Sequence, residues 1–303
     1  MRVLETRQDV RVLVLPAPTE SELARELPGA DGVVMAMEQP ALSARLIDLA
    51  PRLRIACRFG AGYDNVDVAA LTRRGIPLAT TGDANAGTVA EHALYLMLAL
   101  AKRGPALERS VRAGGWPRSF GGVELRGRTC VIVGYGPIGR AVARRAAAFD
   151  MKIIAVDPYV PGTETLAGAL PQADFVVVAC ALTPETRGLI GAQALARMKP
   201  SAFLVNVARG PVLDEAALVA ALEADRLAGA GLDVLESEPP RPRHPLLARD
   251  DVVLTPHVGA FIDTAYERMA LACAQAVLAG LDGRLARASV VNPSVFNQKM
   301  LKP

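Results

Sequence analysis

The feature that most constrains the fold is the segment TCVIVGYGPIGRAVARRAAAF, residues 129–149, in which three glycines separate a β-rich apolar run from an amphipathic helix. In such a turn, Gly134 permits the sharp change of direction, Gly136 lets the backbone approach a pyrophosphate, and Gly139 lets helix and strand pack closely. Pro137 suits the first turn of a helix, whose N–H groups would face the anion. The segment therefore predicts a dinucleotide-binding turn in a doubly wound α/β domain.

Asp157 ends the next predicted strand and supports the same interpretation. A carboxylate there would accept hydrogen bonds from the ribose hydroxyls of adenosine and repel a 2′-phosphate. Because Pro158 and Tyr159 follow it rather than a basic residue, NAD is favoured over NADP. A methyltransferase also pairs a Gly-rich turn with an acid at the next strand end. The intact third glycine and the polar residues described below argue against that alternative.

Two series of alternating strands and helices lie along the chain. In the first, strands are predicted at residues 12–15, 32–35, 53–57 and 76–79, with helices at 20–27, 41–49 and 66–74; in the second, strands are predicted at 129–133, 153–156, 175–179, 203–207, 229–232 and 252–255. The alternation predicts parallel sheets, and 303 residues fit two domains. Residues 88–112 carry an apolar face too wide for an exposed helix. We therefore expect them to cross between the domains, and residues 263–279 to return as a helix.

Composition and charge exclude several function classes. A chain with 51% hydrophobic and 21% charged residues is typical of a soluble globular protein, and no apolar run reaches the roughly 18 residues that a membrane span needs. We expect a cytoplasmic protein without a membrane partner. The net charge of +3 comes from scattered Lys and Arg rather than a basic block, so a nucleic-acid partner is not expected. Neither a disulfide nor a metal site is expected, because the cysteines lie far apart without a His at ligand spacing. They are Cys57, Cys130, Cys180 and Cys273.

Polar residues follow the later predicted strands, at the edge where open α/β sheets bind ligands. Arg209 follows the fourth strand of the second series, Asp233 ends the fifth, and His257 follows the sixth in LTPH. Glu238 lies a few residues beyond Asp233 in DVLESEPP. We therefore expect Arg209, Glu238 and His257 to converge on one rim, although a lone Arg after a strand is more readily explained as a surface ion pair.

The chemistry of these residues is coherent with the reduction of a 2-keto acid. The planar fork of Arg209 suits a substrate carboxylate. His257 can donate a proton to the keto oxygen near neutral pH, while Glu238 would stabilise its imidazolium form and fix the ring tautomer. The other two histidines have simpler interpretations: His92 as a hydrogen-bonding residue of the core or of the interdomain region, and His244 as a solvated loop residue.

These motifs resemble the D-isomer-specific 2-hydroxyacid dehydrogenase family over nearly the whole chain. The matching segments are RFGAGYDNVD (58–67), NAGTVAEHAL (85–94), VGYGPIGR (133–140), NVARGPVLDEAAL (206–218), GLDVLESEPP (231–240) and LTPHVGA (254–260). The resemblance implies that Arg209, Glu238 and His257 are the catalytic residues. It also implies cofactor contacts at Thr81, Pro137, Ile138, Asp157, Cys180, Val207, Asp233 and Gly259.

For the substrate, the resemblance implies that backbone N–H groups of a Gly-rich loop bind its carboxylate. The residues it points to are Gly60, Ala61 and Gly62, with Asn85 nearby and with Arg58, whose placement resembles that of an Arg in phosphoglycerate dehydrogenases. Glyoxylate, hydroxypyruvate, 3-phosphohydroxypyruvate and pyruvate are the candidates. A formate dehydrogenase is disfavoured, because Gln would be expected in place of Glu238. The alternative from another class is a non-catalytic, NAD-sensing binding protein, similar to the corepressor branch of the family.

The resemblance also implies a domain organisation. A Rossmann cofactor domain, residues 103–262, would be inserted into a smaller flavodoxin-like α/β substrate domain made of 1–102 and 263–303. The N-terminal unit is expected to be shortened, because only about ten residues precede its first predicted strand. A homodimer joined through the cofactor domains is implied as well, with its contacts beginning in the segment 114–122, which contains Trp116.

Overall fold

The computed structural model describes residues 2–36, 40–119 and 121–298 and divides the chain into two compact units. The first unit consists of Met1–Asn85 and Ile262–Pro303, and the second of Ala86–Phe261. The second unit thus begins at residue 86, whereas the sequence placed the boundary between 102 and 103. The reason is that residues 89–101 supply much of the core of the second unit.

Parallel strands and short helices alternate through both units. The strands are β1 (Gly32–Met35), β2 (Ile55–Arg58), β3 (Leu78–Thr80), β4 (Thr129–Val133), β5 (Lys152–Val156), β6 (Phe175–Val178), β7 (Phe203–Asn206), β8 (Gly229–Leu232) and β9 (Val252–Leu254). The helices are α1 (Arg2–Glu5), α2 (Glu20–Glu26), α3 (Ala44–Asp48), α4 (Val68–Arg73), α5 (Ala86–Ala101), α6 (Gly104–Arg112), α7 (Pro137–Ala147), α8 (Leu166–Ala169), α9 (Ala192–Leu195), α10 (Glu215–Glu223), α11 (Asp263–Leu281) and α12 (Val295–Gln298).

The second unit is a doubly wound α/β domain. Its described residues form a six-stranded parallel sheet in the order β5-β4-β6-β7-β8-β9. The chain moves from β4 to β5 on one side and then continues with β6 on the other, so the order reverses at β4. Open sheets bind ligands beyond the carboxyl ends of the strands at such a reversal. The Gly-rich turn follows β4 and therefore lies at that point, which confirms the predicted Rossmann architecture.

Side chains of the six-stranded sheet alternate between two buried faces. Along β4, Val131 and Val133 pack into a core that includes α9 and α10, whereas Cys130 and Ile132 pack into the core on the opposite face with α5 and α7. Such alternation follows from the two-residue period of a strand, and helices cover both faces of parallel sheets. This explains why the strands read as continuous apolar runs in the sequence.

The first unit contains a three-stranded parallel sheet in the sequential order β1-β2-β3 among its described residues. The expected flavodoxin-like sheet has a reversal in its strand order, and the described strands of this unit show none. Helix α11 packs on this sheet, and an added Cβ at Gly280 would lie 2.8 Å from the Ile55 side chain, so a small residue permits the close approach. The prediction that residues 263–279 form a helix is confirmed, with two further residues at its end.

Two predicted elements differ from the structure. Residues 12–15 form no strand, and Leu13 and Val14 are 56% and 57% exposed; β1 pairs with β2 alone, so these residues have no strand partner to hydrogen-bond. The apolar segment 88–112 is two helices rather than one, because Arg103 adopts a left-handed backbone (φ 51°) and Pro105 lies in the first turn of a new helix. No helix in the part of the chain that the structure describes is long and apolar enough to span a membrane.

Candidate active site

Three glycines shape the turn between β4 and α7, and each meets different surroundings. Gly134 has a φ of 94°, and an added Cβ would lie 2.5 Å from the Cys180 backbone nitrogen. At Gly139 an added Cβ would overlap the carbonyl oxygen of Gly134. At Gly136 an added Cβ would meet nothing within 4 Å. Gly134 and Gly139 are therefore required by the close packing of the protein's own backbone. Gly136 leaves space at the N-terminus of α7 for a pyrophosphate.

Asp157 follows β5 and faces this turn. Its carboxylate accepts a hydrogen bond from the Tyr135 N–H (2.8 Å) and another from the Tyr159 N–H (2.9 Å). Each carboxylate oxygen can accept a further bond, so the group can still receive ribose hydroxyls. Cys180, beyond β6, is partly enclosed, and burial raises the pKa of its thiol to about 11, which keeps it neutral. The residues around the turn thus fit a dinucleotide.

His257 and Glu238 lie together beyond the carboxyl ends of β8 and β9. His257 Nδ1 is 2.8 Å from Glu238 Oε2, and Glu238 Oε1 accepts a hydrogen bond from the Leu235 N–H at 3.0 Å. The backbone of His257 is left-handed (φ 55°), and its N–H is held by the carbonyl oxygens of Asp233 (2.7 Å) and Thr255 (3.0 Å). The predicted histidine–carboxylate pair is therefore formed, on a backbone fixed by its own loop.

The charge of Glu238 is stabilised by its neighbours. Burial opposes ionisation, but hydrogen bonds from His257 and the Leu235 N–H, together with the positive charge of Arg209, hold the pKa of Glu238 below its ordinary value. Glu238 is therefore an acceptor near neutral pH, as required for a group that orients an imidazole.

Arg209 is positioned by the end of β7. The buried Asn206 accepts a hydrogen bond from the Ala208 N–H and donates one to the Arg209 carbonyl oxygen, both at 3.0 Å. Arg209 Nη1 donates to the Ala208 carbonyl oxygen at 2.8 Å. The next residue, Gly210, packs against the Leu235 carbonyl group, so the Arg209 segment lies beside the loop that carries Glu238, and the three expected catalytic residues share one rim of the second unit.

A buried network under this rim holds the loop that carries His257. The Asp233 carboxylate accepts hydrogen bonds from the Thr255 hydroxyl (2.6 Å) and from the N–H groups of Val258 (3.0 Å) and Gly259 (2.9 Å). His92 Nε2 lies 2.8 Å from the Thr255 hydroxyl and 3.2 Å from Asp233 Oδ1. Burial opposes the charge, but these contacts hold the pKa of Asp233 below its ordinary value. His92 is thus a hydrogen-bonding residue of the second unit.

The interpretation of His244 as a solvated residue is wrong. Its Nε2 lies 3.2 Å from Oε2 of Glu215, whose side chain is buried. Glu215 was not among the expected site residues. The only local signal is that it follows Asp214, which caps α10, and nothing in the sequence connects residue 215 with residue 244.

The expected substrate loop lies in the first unit, directly after β2. Gly60 has a φ of 128°, and its carbonyl oxygen accepts a hydrogen bond from the Thr81 N–H at 3.3 Å. Arg58 is only 3% exposed and donates to Asn65 Oδ1 at 2.8 Å and to the carbonyl oxygen of Phe59. These contacts fix the backbone at the start of the loop. The assignments of Arg58, Gly60, Ala61, Gly62 and Asn85 to the substrate, and of Thr81, Ile138 and Val207 to the cofactor, stay predictions.

Within residues 2–36, 40–119 and 121–298, no group of three or more His, Cys, Asp and Glu side chains is arranged to hold a metal ion.

Comparisons with known proteins agree with this geometry. Residues 94–259 match the family model described as "D-isomer specific 2-hydroxyacid dehydrogenase, NAD binding domain". The chain is 38% identical over 302 residues to a D-3-phosphoglycerate dehydrogenase of Archaeoglobus fulgidus, covering 95% of this chain and 56% of that protein. It is 39% identical over 278 residues to a glyoxylate reductase of Pyrococcus furiosus, covering 86% of this chain and 81% of that protein.

A solved structure is similar as well. The D-lactate dehydrogenase from Aquifex aeolicus, described as complexed with NAD and lactic acid, has a TM-score of 0.81 and 26% sequence identity and covers 89% of each chain. The chain spans between 56% and 60% of the length of the D-3-phosphoglycerate dehydrogenases from Archaeoglobus fulgidus and Methanocaldococcus jannaschii.

Proposed function

Because the chain belongs to the D-isomer specific 2-hydroxyacid dehydrogenase family, we propose that it is an NAD-dependent oxidoreductase that interconverts a small D-2-hydroxy acid and its 2-keto acid. The observation that carries this proposal is the pair of His257 Nδ1 and Glu238 Oε2, 2.8 Å apart, in the unit that also contains the Gly-rich turn. The matched model is that of the NAD-binding domain, and the space at Gly136 fits a pyrophosphate, so NAD is the cofactor.

His257 is the proposed acid and base. When Nδ1 carries the proton that is shared with Glu238, Nε2 is the ring nitrogen that exchanges a proton with the substrate oxygen. When bound, the nicotinamide would supply a hydride to the keto carbon in reduction and accept that hydride from the hydroxy acid in oxidation. In the reductive direction His257 gives its Nε2 proton to the keto oxygen, and in the oxidative direction it accepts the hydroxyl proton. Glu238 stabilises the imidazolium form and holds the ring in one tautomer.

Arg209 is the proposed cation for the substrate carboxylate. A guanidinium binds a carboxylate through two parallel hydrogen bonds, which fixes the orientation of the reacting carbon. The hydrogen bond from the Asn206 side chain to the Arg209 carbonyl oxygen supports this role, because it fixes the backbone position from which the Arg209 side chain extends. We propose that the N–H groups of Gly60, Ala61 and Gly62 also bind carboxylate oxygens and that Asn85 contributes.

The substrate candidates are glyoxylate, hydroxypyruvate, 3-phosphohydroxypyruvate and pyruvate. Relatives named for two different activities, glyoxylate reductase and D-3-phosphoglycerate dehydrogenase, match the chain at nearly equal identity, so identity ranks neither glyoxylate nor 3-phosphohydroxypyruvate above the other. A cytoplasmic homodimer is also part of the proposal. Trp116, in the segment where the dimer contacts are expected to begin, is 75% exposed and therefore accessible to a second copy.

The experiment is a panel of the four keto acids with NADH and with NADPH, followed by absorbance of the reduced cofactor. We expect oxidation of NADH with at least one acid, and a lower kcat/KM with NADPH. Binding of NADH without turnover on any of the four would contradict the proposal and favour a non-catalytic, NAD-sensing protein.

A further inference from the structure

Glu215 is a buried carboxylate that the proposed reaction does not use. It begins α10 directly after the capping residue Asp214, and its side chain is 9% exposed. One carboxylate oxygen, Oε2, is 3.2 Å from His244 Nε2. A buried carboxylate costs free energy unless hydrogen bonds satisfy it, so its position needs a structural reason.

Hydrogen bonds between Glu215 and Glu236 join two segments of the chain. Glu215 Oε1 accepts a hydrogen bond from the Glu236 N–H, and Glu236 Oε1 accepts one from the Glu215 N–H at 3.1 Å. The second bond satisfies an N–H in the first turn of α10, which has no partner within the helix. The start of α10 and the loop after β8 are therefore joined by a reciprocal pair of hydrogen bonds.

The loop after β8, which Glu215 joins to the start of α10, is also the loop that orients Glu238. The Leu235 N–H, one residue before Glu236, donates to Glu238 Oε1, and the other oxygen of Glu238 binds His257. On the opposite side the same backbone meets the segment of Arg209: an added Cβ at Gly210 would overlap the Leu235 carbonyl group. Leu235 and Glu236 thus lie between the Arg209 segment and Glu238, and Glu215 fixes them there.

We infer that Glu215 and His244 are positioning residues that hold Glu238 against His257 Nδ1 through the backbone of Leu235 and Glu236. This inference rests on the proposed roles of Glu238 and His257. Neither positioning residue touches the reacting groups. His244 orients the Glu215 carboxylate from the far end of the loop, so the loop after β8 is anchored at residue 236 and again at residue 244.

The first test needs no substrate. The chain has three histidines, so 15N spectra of the imidazole rings can be assigned by single replacements. In the wild type, neutral His257 should carry its proton on Nδ1, because Glu238 accepts it. In Glu215→Ala we expect a shift toward the Nε2–H tautomer, whereas Glu215→Gln, which keeps an acceptor for the Glu236 N–H, should resemble the wild type.

The control is Glu223→Ala, an exposed glutamate on the same helix. It should leave the His257 ring unchanged. An unchanged tautomer in Glu215→Ala would overturn the inference. If Glu215→Ala does not fold, His244→Gln carries the same test, with a smaller shift in the same direction expected and no shift contradicting the inference.

The second test is a double-mutant cycle with kinetics. Glu215→Ala should lower kcat about tenfold, as a displaced orienting group does, with the KM for NADH unchanged. In the Glu238→Ala background the same replacement should cost nothing further, because no acceptor then remains for Glu215 to hold against His257. The inference would be contradicted if the fold-loss of kcat in the double variant equalled the product of the losses in the two single variants. A wild type without turnover would instead refute the proposed function, and the tautomer measurement would still decide on Glu215.

Discussion

His257 and His244 each face a glutamate, yet the two pairs lie in different surroundings. His257 is 2.8 Å from Glu238, whose side chain is 40% exposed, and His244 is 3.2 Å from Glu215, whose side chain is 9% exposed. The two carboxylates differ in access: Glu238 reaches solvent, so its pair can meet a substrate, whereas Glu215 is occupied by His244 and by the protein's own backbone. A histidine–carboxylate contact therefore does not identify a catalytic group until its access to a ligand is known.

The same distinction separates two glycines of the turn after β4. An added Cβ at Gly139 would overlap the backbone of Gly134, while an added Cβ at Gly136 meets open space. One glycine serves the packing of the domain and the other serves a ligand. The second unit thus contains ligand-facing and protein-facing positions, a division that substitutions at each kind of position can test.

The largest effect is expected from comparing the two histidines. His257→Ala should lower kcat by about a hundredfold or more, because it removes the acid and base. His244→Ala should lower kcat by less than about tenfold, because it only weakens an orienting contact. Steady-state rates at saturating NADH measure both. Equal losses in the two variants would contradict the division.

A comparable division is expected between the glycines. Gly139→Ala should lower the free energy of unfolding by about 1–3 kcal/mol, because an added methyl group forces the turn to shift. Gly136→Ala should change it by less than about 1 kcal/mol but weaken NADH binding about tenfold, since the methyl group occupies the ligand's space. Urea unfolding and NADH fluorescence measure the two quantities. Unaltered NADH binding by Gly136→Ala would remove the ligand-facing role.

Acidification should weaken the buried hydrogen-bond network around Asp233. Because the pKa of Asp233 is below its ordinary value of 3.8, its stabilisation is complete above that value and is lost as the pH falls through the folded-state pKa. At pH 7, Asp233→Asn should lower the free energy of unfolding by about 1–3 kcal/mol. That difference should shrink below about pH 4. Urea unfolding as a function of pH measures it, and exposed Asp83→Asn is the control. A difference independent of pH would show that the charge is not what matters.

The smallest effect concerns cofactor choice. Asp157→Ala should narrow the preference for NADH over NADPH by about tenfold, since the carboxylate no longer repels a 2′-phosphate. Asp157→Asn keeps the shape and removes the charge, so it separates repulsion from hydrogen bonding. The ratio of kcat/KM for the two cofactors is the measurement. An unaltered ratio would mean that Asp157 does not act on the ribose.

Much of the second unit could be predicted from its sequence. The bounds of β4 and β8 agree with the prediction to the residue, because continuous apolar runs bounded by turn residues are typical of buried parallel strands. Arg209, Glu238 and His257 were found for a related reason: parallel strands place their carboxyl ends at one edge, so distance along the chain does not matter.

Other features depend on partners that a local pattern does not contain. Residues 12–15 have strand composition, but a strand also needs a neighbour, and β1 pairs with β2. The break at Arg103 had a signal in the Gly104–Pro105 pair, which the width of the apolar face outweighed. The contact of Glu215 with Glu236 and His244 joins residues far apart in the chain, and no periodicity encodes it.

Arg209, Glu238 and His257 are proposed to support hydride transfer from NADH to a 2-keto acid in one stereochemical sense. The most direct measurement uses NADH with both C4 hydrogens replaced by deuterium and the best of hydroxypyruvate, 3-phosphohydroxypyruvate and pyruvate, because glyoxylate would give glycolate, which has no stereocentre. Chiral chromatography and mass spectrometry then identify the product. We predict a D-2-hydroxy acid with a single deuterium at C2, formed by the wild type and reduced about a hundredfold in His257→Ala. An L or racemic product, or a product without deuterium at C2, would contradict the account.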